Sequence, residues 1–247
     1  MKDNLTISVC MTVFSFSQYL EEQLASILNQ TKKIDELVIV EDYSGKDSPK
    51  KYIEEICSKK TIKLIYKMNK KNLGPAESFR DAILESNGDV IFLSDHDDIW
   101  AKDRVARTLP FHKNNDFIVV NGQKFTNSSQ LTFKKDHQKT KIYYDLQINI
   151  FSLIIKNEII GATTSFRGNI ARLLASKISF YPMHDWILVI LFLLLNKKIK
   201  FIDESLIKYR RHGDTFTDNK KNSLLQKCKF RLSILYTIVR VFMFKLG

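Results

Sequence analysis

The chain has 247 residues, 44% of them hydrophobic, and a formal net charge of +12, which allows one sizeable core. Its three cysteines are far apart in the sequence, which indicates neither a disulfide framework nor a zinc site, so a reducing, cytoplasmic setting is expected. The basic residues come without a helix-turn-helix, RNA-binding or zinc-finger pattern, so we expect no nucleic acid partner.

Short apolar runs alternate with segments of helical periodicity through the first hundred residues. The runs at 7–14, 37–40, 62–66 and 89–93 predict strands, and apolar residues at helical spacing over 19–28 predict the first helix. Strands that alternate with helices favour an α/β fold with a mainly parallel sheet. Such sheets bind ligands at the carboxyl ends of their strands, so polar residues that follow a strand are site candidates.

Acidic residues follow two of these strands. Glu41 and Asp42 come after the second strand, in a sequence that is also typical of an ordinary turn. Asp95, Asp97 and Asp98 come after the fourth. Such a cluster repels itself unless a cation neutralises it, and oxygen ligands of this kind suit Mg²⁺ or Mn²⁺. The alternative is a solvated acidic loop in which Asp97 or Asp98 caps the next helix.

A glycine and a proline precede the helix that follows the third strand. Backbone amides near Asn72 and Gly74 could face a diphosphate, as helix N-termini do. The alternative is a plain helix start, which Pro75 in the first turn would also explain.

Two later segments differ in character from the first hundred residues. Residues 121–144 are polar and irregular, and predict a variable flap or loop insert. Residues 187–195 are apolar, but a membrane span takes about 20 apolar residues. We therefore predict a buried core helix that begins near His184.

The C-terminal part of the chain is strongly basic, with 13 Lys and Arg against 4 Asp and Glu from residue 197 onward. We expect one domain at 1–221 and a basic amphipathic helix at 222–247 that lies on an anionic membrane surface. The alternative is packing of this helix on the domain or in a homodimer. The N-terminus lacks the apolar stretch of a secretory signal, so the expected location is cytoplasmic, peripheral at the inner face of the cell membrane.

Seven segments, in order, resemble the signature blocks of glycosyltransferase family 2 over about residues 5–215. They are CMTVFSFSQYLEEQLASILNQT, EDYSGKDS, NLGPAESF, SDHDDIW, GATTSFRG, MHDWILV and IDESLIKYRRHGD. They are most similar to the bacterial branch that builds surface polysaccharide, including rhamnosyltransferase-like members. The resemblance implies a three-layer α/β/α nucleotide-diphospho-sugar transferase (GT-A) fold. It also implies inverting transfer from a UDP- or dTDP-sugar to a saccharide or lipid-linked acceptor, with Mn²⁺ or Mg²⁺.

The resemblance also implies roles for individual residues. Asp185 would be the catalytic base. The metal ligands would be Asp95, Asp97 and His212. The nucleotide-sugar site would contain Val13, Phe14, Ser15, Glu41, Asp42, Asn72, Gly74, Asp95, Arg210 and Arg211. The acceptor site would contain Gly161, Thr163, Thr164, His184 and Trp186.

The first block departs from the family, which commonly has Thr-Tyr-Asn where this chain has Val13, Phe14 and Ser15. Phe14 could still stack on a base, and Ser15 could still form a hydrogen bond. Two other classes of function stay open. A phosphotransferase or phosphatase would use the acidic cluster, but would need a nucleophilic Asp at the end of the first strand. A non-catalytic, membrane-associated nucleotide-sugar binding protein would fit the altered block.

Overall fold

The computed structural model describes residues 4–43, 45, 47–126, 140–144, 146, 148–211 and 223–243. Its strands are β1 Ile7–Val13, β2 Glu36–Glu41, β3 Lys63–Met68, β4 Val90–Ser94, β5 Ile99–Trp100, β6 Phe117–Phe125, β7 Thr164–Arg167 and β8 Ile199–Arg210. They form one sheet in the order β3-β2-β1-β4-β7-β6-β8-β5. The four predicted strands are confirmed as β1 to β4, because their apolar runs are buried in the sheet or packed against its helices.

Helices cover both faces of this sheet. They are α1 Leu20–Leu28, α2 Lys50–Lys60, α3 Gly74–Glu85, α4 Arg104–Thr108, α5 Ile150–Ile155, α6 Gly168–Lys177, α7 His184–Leu194 and α8 Leu224–Met243. Successive side chains of a strand point to opposite faces. Met11 of β1 accordingly packs with α1 and α2, whereas Cys10 packs with α3, α6 and α7. The predicted three-layer α/β/α fold is confirmed.

The first half of the sheet is parallel and the second half is mixed. β3, β2, β1 and β4 pair in parallel, and so do β6 and β8. β7 runs antiparallel between β4 and β6, and β5 runs antiparallel to β8. In register, Val13 pairs with Glu41 and Met11 with Ser94. The carboxyl ends of β1, β2 and β4 therefore lie side by side, which brings 14–15, 42 and 95–98 to one edge.

The predicted loop at 121–144 is wrong at its start, because 121–125 form the second half of β6. The polar character that suggested a loop comes partly from Asn121, which is buried. Its amide donates to the Tyr143 carbonyl at 2.8 Å and its oxygen accepts the Tyr143 N–H at 3.1 Å. A buried amide whose hydrogen bonds are satisfied is compatible with a strand. Residues 127–139, the middle of the predicted insert, lie outside the described residues.

The predicted buried helix is confirmed as α7, which begins at His184 and is buried from His184 to Phe192. Among the helices that the structure describes, none is both long and apolar enough to cross a bilayer.

Candidate active site at the carboxyl ends of the strands

The SDHDDIW loop joins β4 to β5 and is held in place from β8. Oδ1 of Asp98 accepts the Arg210 N–H at 3.0 Å, and Nε of Arg210 donates to the Asp97 carbonyl at 2.8 Å. Both bonds connect residues more than 110 positions apart, so they form only when β8 is in the sheet. The end of β8 therefore fixes the path of the carboxylate loop.

The Arg210 side chain is only 2% exposed and is enclosed by protein groups. Its guanidinium lies between the rings of Tyr19 and Phe125, at 4.2 and 4.5 Å from their centroids, and forms an ion pair with Glu22. In this arrangement Arg210 organises the loop, and its assignment as a diphosphate ligand stays a prediction. Arg211 donates its N–H to the Phe125 carbonyl and is exposed, whereas His212 lies outside the described residues.

The carboxylates of the loop strongly affect one another. Burial, followed by the charges of Asp97 and Asp185, raises the pKa of Asp95 to about 8. Burial, Asp97 and Asp95 also raise the pKa of Asp98 well above its usual value. Oδ2 of Asp98 is buried without a hydrogen-bond partner among the described residues. A positive ion beside Asp95 and Asp97 would relieve this repulsion, so the cluster fits a divalent cation.

The predicted base, Asp185, lies in the first turn of α7, near enough to the carboxylate loop for its charge to act on Asp95. Oδ1 accepts hydrogen bonds from Nδ2 of Asn157 at 2.9 Å and from the Trp186 N–H at 2.7 Å. Oδ2 accepts the Gly161 N–H at 3.2 Å. The carboxylate also lies at the N-terminal, positive end of the α7 dipole. These contacts fix the carboxylate in one orientation.

The predicted acceptor residues border Asp185, but most of their polar groups bind protein. The hydroxyl of Thr163 donates to the Ile160 carbonyl and that of Thr164 to the Gly161 carbonyl, both at 2.7 Å. The indole N–H of Trp186 donates to the Leu153 carbonyl. These groups therefore shape the turn before β7 and the start of α7. Their contact with an acceptor stays a prediction.

His184 differs, because neither ring nitrogen has a hydrogen-bond partner in the part of the chain that the structure describes. The ring is buried and stacks on Phe79 with centroids 3.9 Å apart. Loss of hydration lowers the pKa of His184, and the nearby Asp185 charge opposes that effect, so the ring is neutral. Gly161 makes room for it, since a Cβ there would collide with Nε2 of His184.

We expect Gly161→Ala to destabilise the fold by about 1–3 kcal/mol, because the added methyl overpacks the site. Urea unfolding of the wild type, Gly161→Ala, His184→Ala and the double variant would measure this. The collision disappears once the imidazole is gone, so the two losses should combine to less than their sum. Additive losses would show that the contact with His184 is not the cause.

The predicted nucleotide residues at the end of β2, Glu41 and Asp42, also bind other protein groups. Oδ1 of Asp42 accepts the Leu73 N–H and Oδ2 accepts the Gly74 N–H, both at 2.8 Å. Gly74 has a φ of +79°, in the left-handed region, and its N–H also meets Oδ1 of Asn72 at 3.0 Å. Asp42 therefore ties the end of β2 to the start of α3. Glu41 is buried and accepts hydrogen bonds from the hydroxyls of Tyr66 and Ser48.

The altered first block lies beside Asp42. The Val13 side chain belongs to the core, and its carbonyl accepts the Asp42 N–H at 2.8 Å. Phe14 and Tyr43 expose their rings at this edge, and Ser15 is half-buried. Of the first block, Phe14 and Ser15 thus have accessible side chains at this edge, whereas Val13 offers backbone, and contact of all three with a nucleotide stays a prediction.

Arg104 was not predicted as part of the site, yet it joins two of its segments. The side chain is 1% exposed, stacks on Trp100 at 3.9 Å and donates from Nη2 to the Ala162 carbonyl at 2.7 Å. Burial lowers its pKa to about 9, and the charge of Asp98 opposes that loss. Arg104 thus connects the carboxylate loop to the turn at Gly161–Thr163. In the sequence, Arg104 looks like an ordinary basic residue at the exposed start of a helix, so the sequence does not predict this role.

Comparisons with known proteins identify the family of the chain. The family model "Glycosyl transferase family 2" matches residues 8–174. The abequosyltransferase RfbV of Salmonella typhimurium is 24% identical over 235 residues, which cover 88% of this chain and 70% of that protein.

Solved structures show the same fold at low identity. S. aureus TarS 1-349 in complex with UDP-GlcNAc superposes with a TM-score of 0.66 at 15% identity, over 97% of this chain and 73% of that one. The mannosyltransferase PcManGT of Pyrobaculum calidifontis, in complex with GDP-Man and Mn²⁺, gives 0.66 at 11% identity, over 97% of this chain and 65% of that one. The chain belongs to glycosyltransferase family 2, and the predicted family, GT-A fold and enzyme class are confirmed.

Proposed function

We propose that this member of glycosyltransferase family 2 transfers a sugar from a UDP- or dTDP-sugar to a saccharide or lipid-linked acceptor, with inversion at the transferred carbon. The observation that carries the proposal is the position of Asp185, which accepts the N–H of Gly161 in the turn that Arg104 connects to the carboxylate loop. An inverting transfer needs a base for the acceptor on one side and a site for the leaving diphosphate on the other. The similarity to an abequosyltransferase supports a role in bacterial surface polysaccharide synthesis.

In the proposed reaction Asp185 accepts the proton of an acceptor hydroxyl. The oxygen of that hydroxyl attacks the anomeric carbon as the bond from this carbon to the diphosphate oxygen breaks, and the nucleoside diphosphate leaves with the bonding electron pair. Asn157 and the Gly161 N–H hold the Asp185 carboxylate towards the acceptor side. His184, beside it, is buried, and neither of its ring nitrogens has a hydrogen-bond partner among the described residues.

A divalent cation, Mn²⁺ or Mg²⁺, would be held by Asp95 and Asp97 and would neutralise charge on the leaving diphosphate. Within the described ranges, no group of three His, Cys, Asp or Glu side chains is arranged to hold an ion. Magnesium commonly binds through one or two carboxylates together with substrate phosphates, so two aspartates suit it. His212 is a further candidate ligand.

The two alternatives are weaker. A phosphotransferase would need a nucleophilic aspartate after β1, where this chain has Phe14 and Ser15. The family match also speaks against it. A non-catalytic binding protein would bind a donor without turning it over. Incubating the full chain with Mn²⁺ and a panel of UDP- and dTDP-sugars tests whether a donor binds and whether it is turned over.

We expect one donor to raise the melting temperature and to release nucleoside diphosphate, faster when bacterial oligosaccharides are added as acceptors. Thermal shift and diphosphate release are the two measurements. A thermal shift without release from any donor would favour the binding protein. No response to any donor in either measurement would contradict the proposed function.

We also propose that the protein is peripheral to an anionic membrane through α8. At 3.6 residues per turn, nine α8 residues occupy a sector of about 120°, and the large apolar ones among them are exposed. They are Leu224, Leu225, Cys228, Leu232, Leu235, Tyr236, Val239, Phe242 and Met243. Lys229 and Arg240 lie on one flank of this apolar sector, and Lys227 and Arg231 on the other. A basic apolar helix of this kind suits the surface of an anionic bilayer.

A further inference from the structure

Helix α5 exposes two large apolar side chains beside α8. Phe151 is 78% exposed and Ile155 is 64% exposed, and at a spacing of four residues they lie on the same face of the helix. A short helix is normally stabilised by packing its apolar side chains against the rest of the protein. Phe151 and Ile155 do not pack in this way, so a different role is needed to account for two large apolar side chains at these positions. Leu153, on the opposite side of α5, is buried in the core.

α5 is a fixed part of the fold rather than a loose turn. Oδ1 of Asn149 caps it by accepting the Ser152 N–H at 2.9 Å, and the Leu153 carbonyl accepts the indole N–H of Trp186. The exposed pair is therefore held in position by contacts with α7.

α5 and α8 adjoin each other. Nη2 of Arg231 donates to the Ile155 carbonyl at 3.3 Å, and Leu153 of α5 belongs to the same core cluster as Ile234 and Val241 of α8. Arg231 lies on one flank of the exposed apolar sector of α8, so the end of α5 extends that surface on this side.

The same short segment also reaches the candidate base. Asn157, two residues beyond α5, donates to Oδ1 of Asp185 at 2.9 Å, and Trp186 follows that aspartate directly. The segment that carries the exposed face of α5 is thus joined directly to the candidate base.

We propose that Phe151 and Ile155 together with the exposed apolar sector of α8 form one surface that docks on an anionic bilayer, with the acceptor end of the active site beside it. If the chain has the proposed function, this docking presents the acceptor on a membrane lipid, and that consequence rests on the proposed function. The docking itself does not depend on which sugar is transferred.

The basic residues of α8 favour a bilayer, rather than a second copy of the chain, as the partner that covers this surface. α8 carries four Lys and Arg and no Asp or Glu. In a twofold dimer the same patch meets itself, so these cations would face their counterparts across the interface and repel. Anionic headgroups would instead neutralise cations on both flanks while the apolar sector enters the acyl boundary.

The test measures sedimentation of the full chain with vesicles of phosphatidylcholine, with and without phosphatidylglycerol, and no donor present. We expect binding only to the anionic vesicles, weakened by salt. Phe151→Ser combined with Ile155→Ser should reduce the partition coefficient by about tenfold or more, because two large side chains no longer enter the bilayer. Leu232→Ser combined with Leu235→Ser should act similarly.

Leu173→Ser is the matched control, since Leu173 is 47% exposed on α6, a helix that packs mainly on α3. It should bind vesicles like the wild type. Thermal shift and diphosphate release measured without vesicles should be unchanged in all variants, which separates failure of docking from failure of the proposed function. Equal vesicle binding by the α5 variant and the wild type would overturn the proposal. A wild-type dimer that ignores vesicles and dissociates in the α5 variant would also overturn it, in favour of a second copy.

Discussion

Replacing Asp97 with Asn is expected to lower metal-dependent diphosphate release by a factor on the order of 10³ or more, with the fold intact. The charge of Asp97 helps to raise the pKa of Asp95 and of Asp98, and burial raises both further. A cation at Asp97 would supply several kcal/mol of charge stabilisation to the departing diphosphate, and an amide oxygen is a weaker ligand without a charge. Diphosphate release with and without Mn²⁺ measures the effect.

The matched control for this charge change is Asp103→Asn. Asp103 is close in sequence to the loop but half-exposed, and its ion pair with Arg107 at 3.5 Å is of the surface type that contributes little. It should leave release and its metal dependence unchanged. Full wild-type release in the presence of EDTA would contradict the metal role of Asp97, whatever the variant does.

The sequence predicts the first half of the fold well, because each apolar run there corresponds to one strand of the sheet. β1, β2 and β4 are central parallel strands covered on both faces, so nearly every residue from Ile7 to Val13 is apolar or buried. β6 breaks that pattern, because Asn121 and Lys124 make its second half look like a loop. What permits the strand is Tyr143, whose backbone satisfies the Asn121 amide.

The candidate site is predicted less completely, because its support comes from long-range contacts. The resemblance singles out Asp185, but nothing in the sequence shows that Asn157 orients it from 28 positions away. It singles out Arg210 as a phosphate ligand, whereas in the fold Tyr19, Phe125 and Glu22 enclose that guanidinium. The hydrogen-bond partner of a polar side chain depends on the order of the strands in the sheet. The local periodicity of the sequence does not predict that order.

Replacing Asp185 with Asn should lower transfer by a factor on the order of 10²–10⁴, the usual contribution of a positioned acid or base. Donor and metal binding should be retained, because Asp95 and Asp97, the proposed metal ligands, are still present. An amide has nearly the shape of the carboxylate but cannot take up the acceptor proton. Single-turnover transfer and donor thermal shift, measured on the same sample, separate the two effects.

The competing explanation is that Asp185 only stabilises the start of α7. Its carboxylate accepts the Trp186 and Gly161 N–H groups, so a purely structural role would contribute about 0.5–2 kcal/mol to the free energy of unfolding. The amide introduced by Asp185→Asn would keep one acceptor oxygen and turn its NH₂ towards one of the donors, so this variant should lose stability as well. Stability alone therefore cannot distinguish a base from a cap.

Asn157→Ala makes the distinction, because it removes the hydrogen bond to Oδ1 of Asp185, together with one from the Ile159 N–H, and leaves the carboxylate. Its loss of stability should be about 1 kcal/mol, comparable to that of Asp185→Asn. If Asp185 is the base, Asn157→Ala still holds a proton acceptor, less well oriented, and should lower transfer by only about tenfold. Asp185→Asn should then be slower than Asn157→Ala by at least another factor of about ten. Equal rates in the two variants, or near-normal transfer by Asp185→Asn with only a lower melting temperature, would make Asp185 a cap and put the base elsewhere.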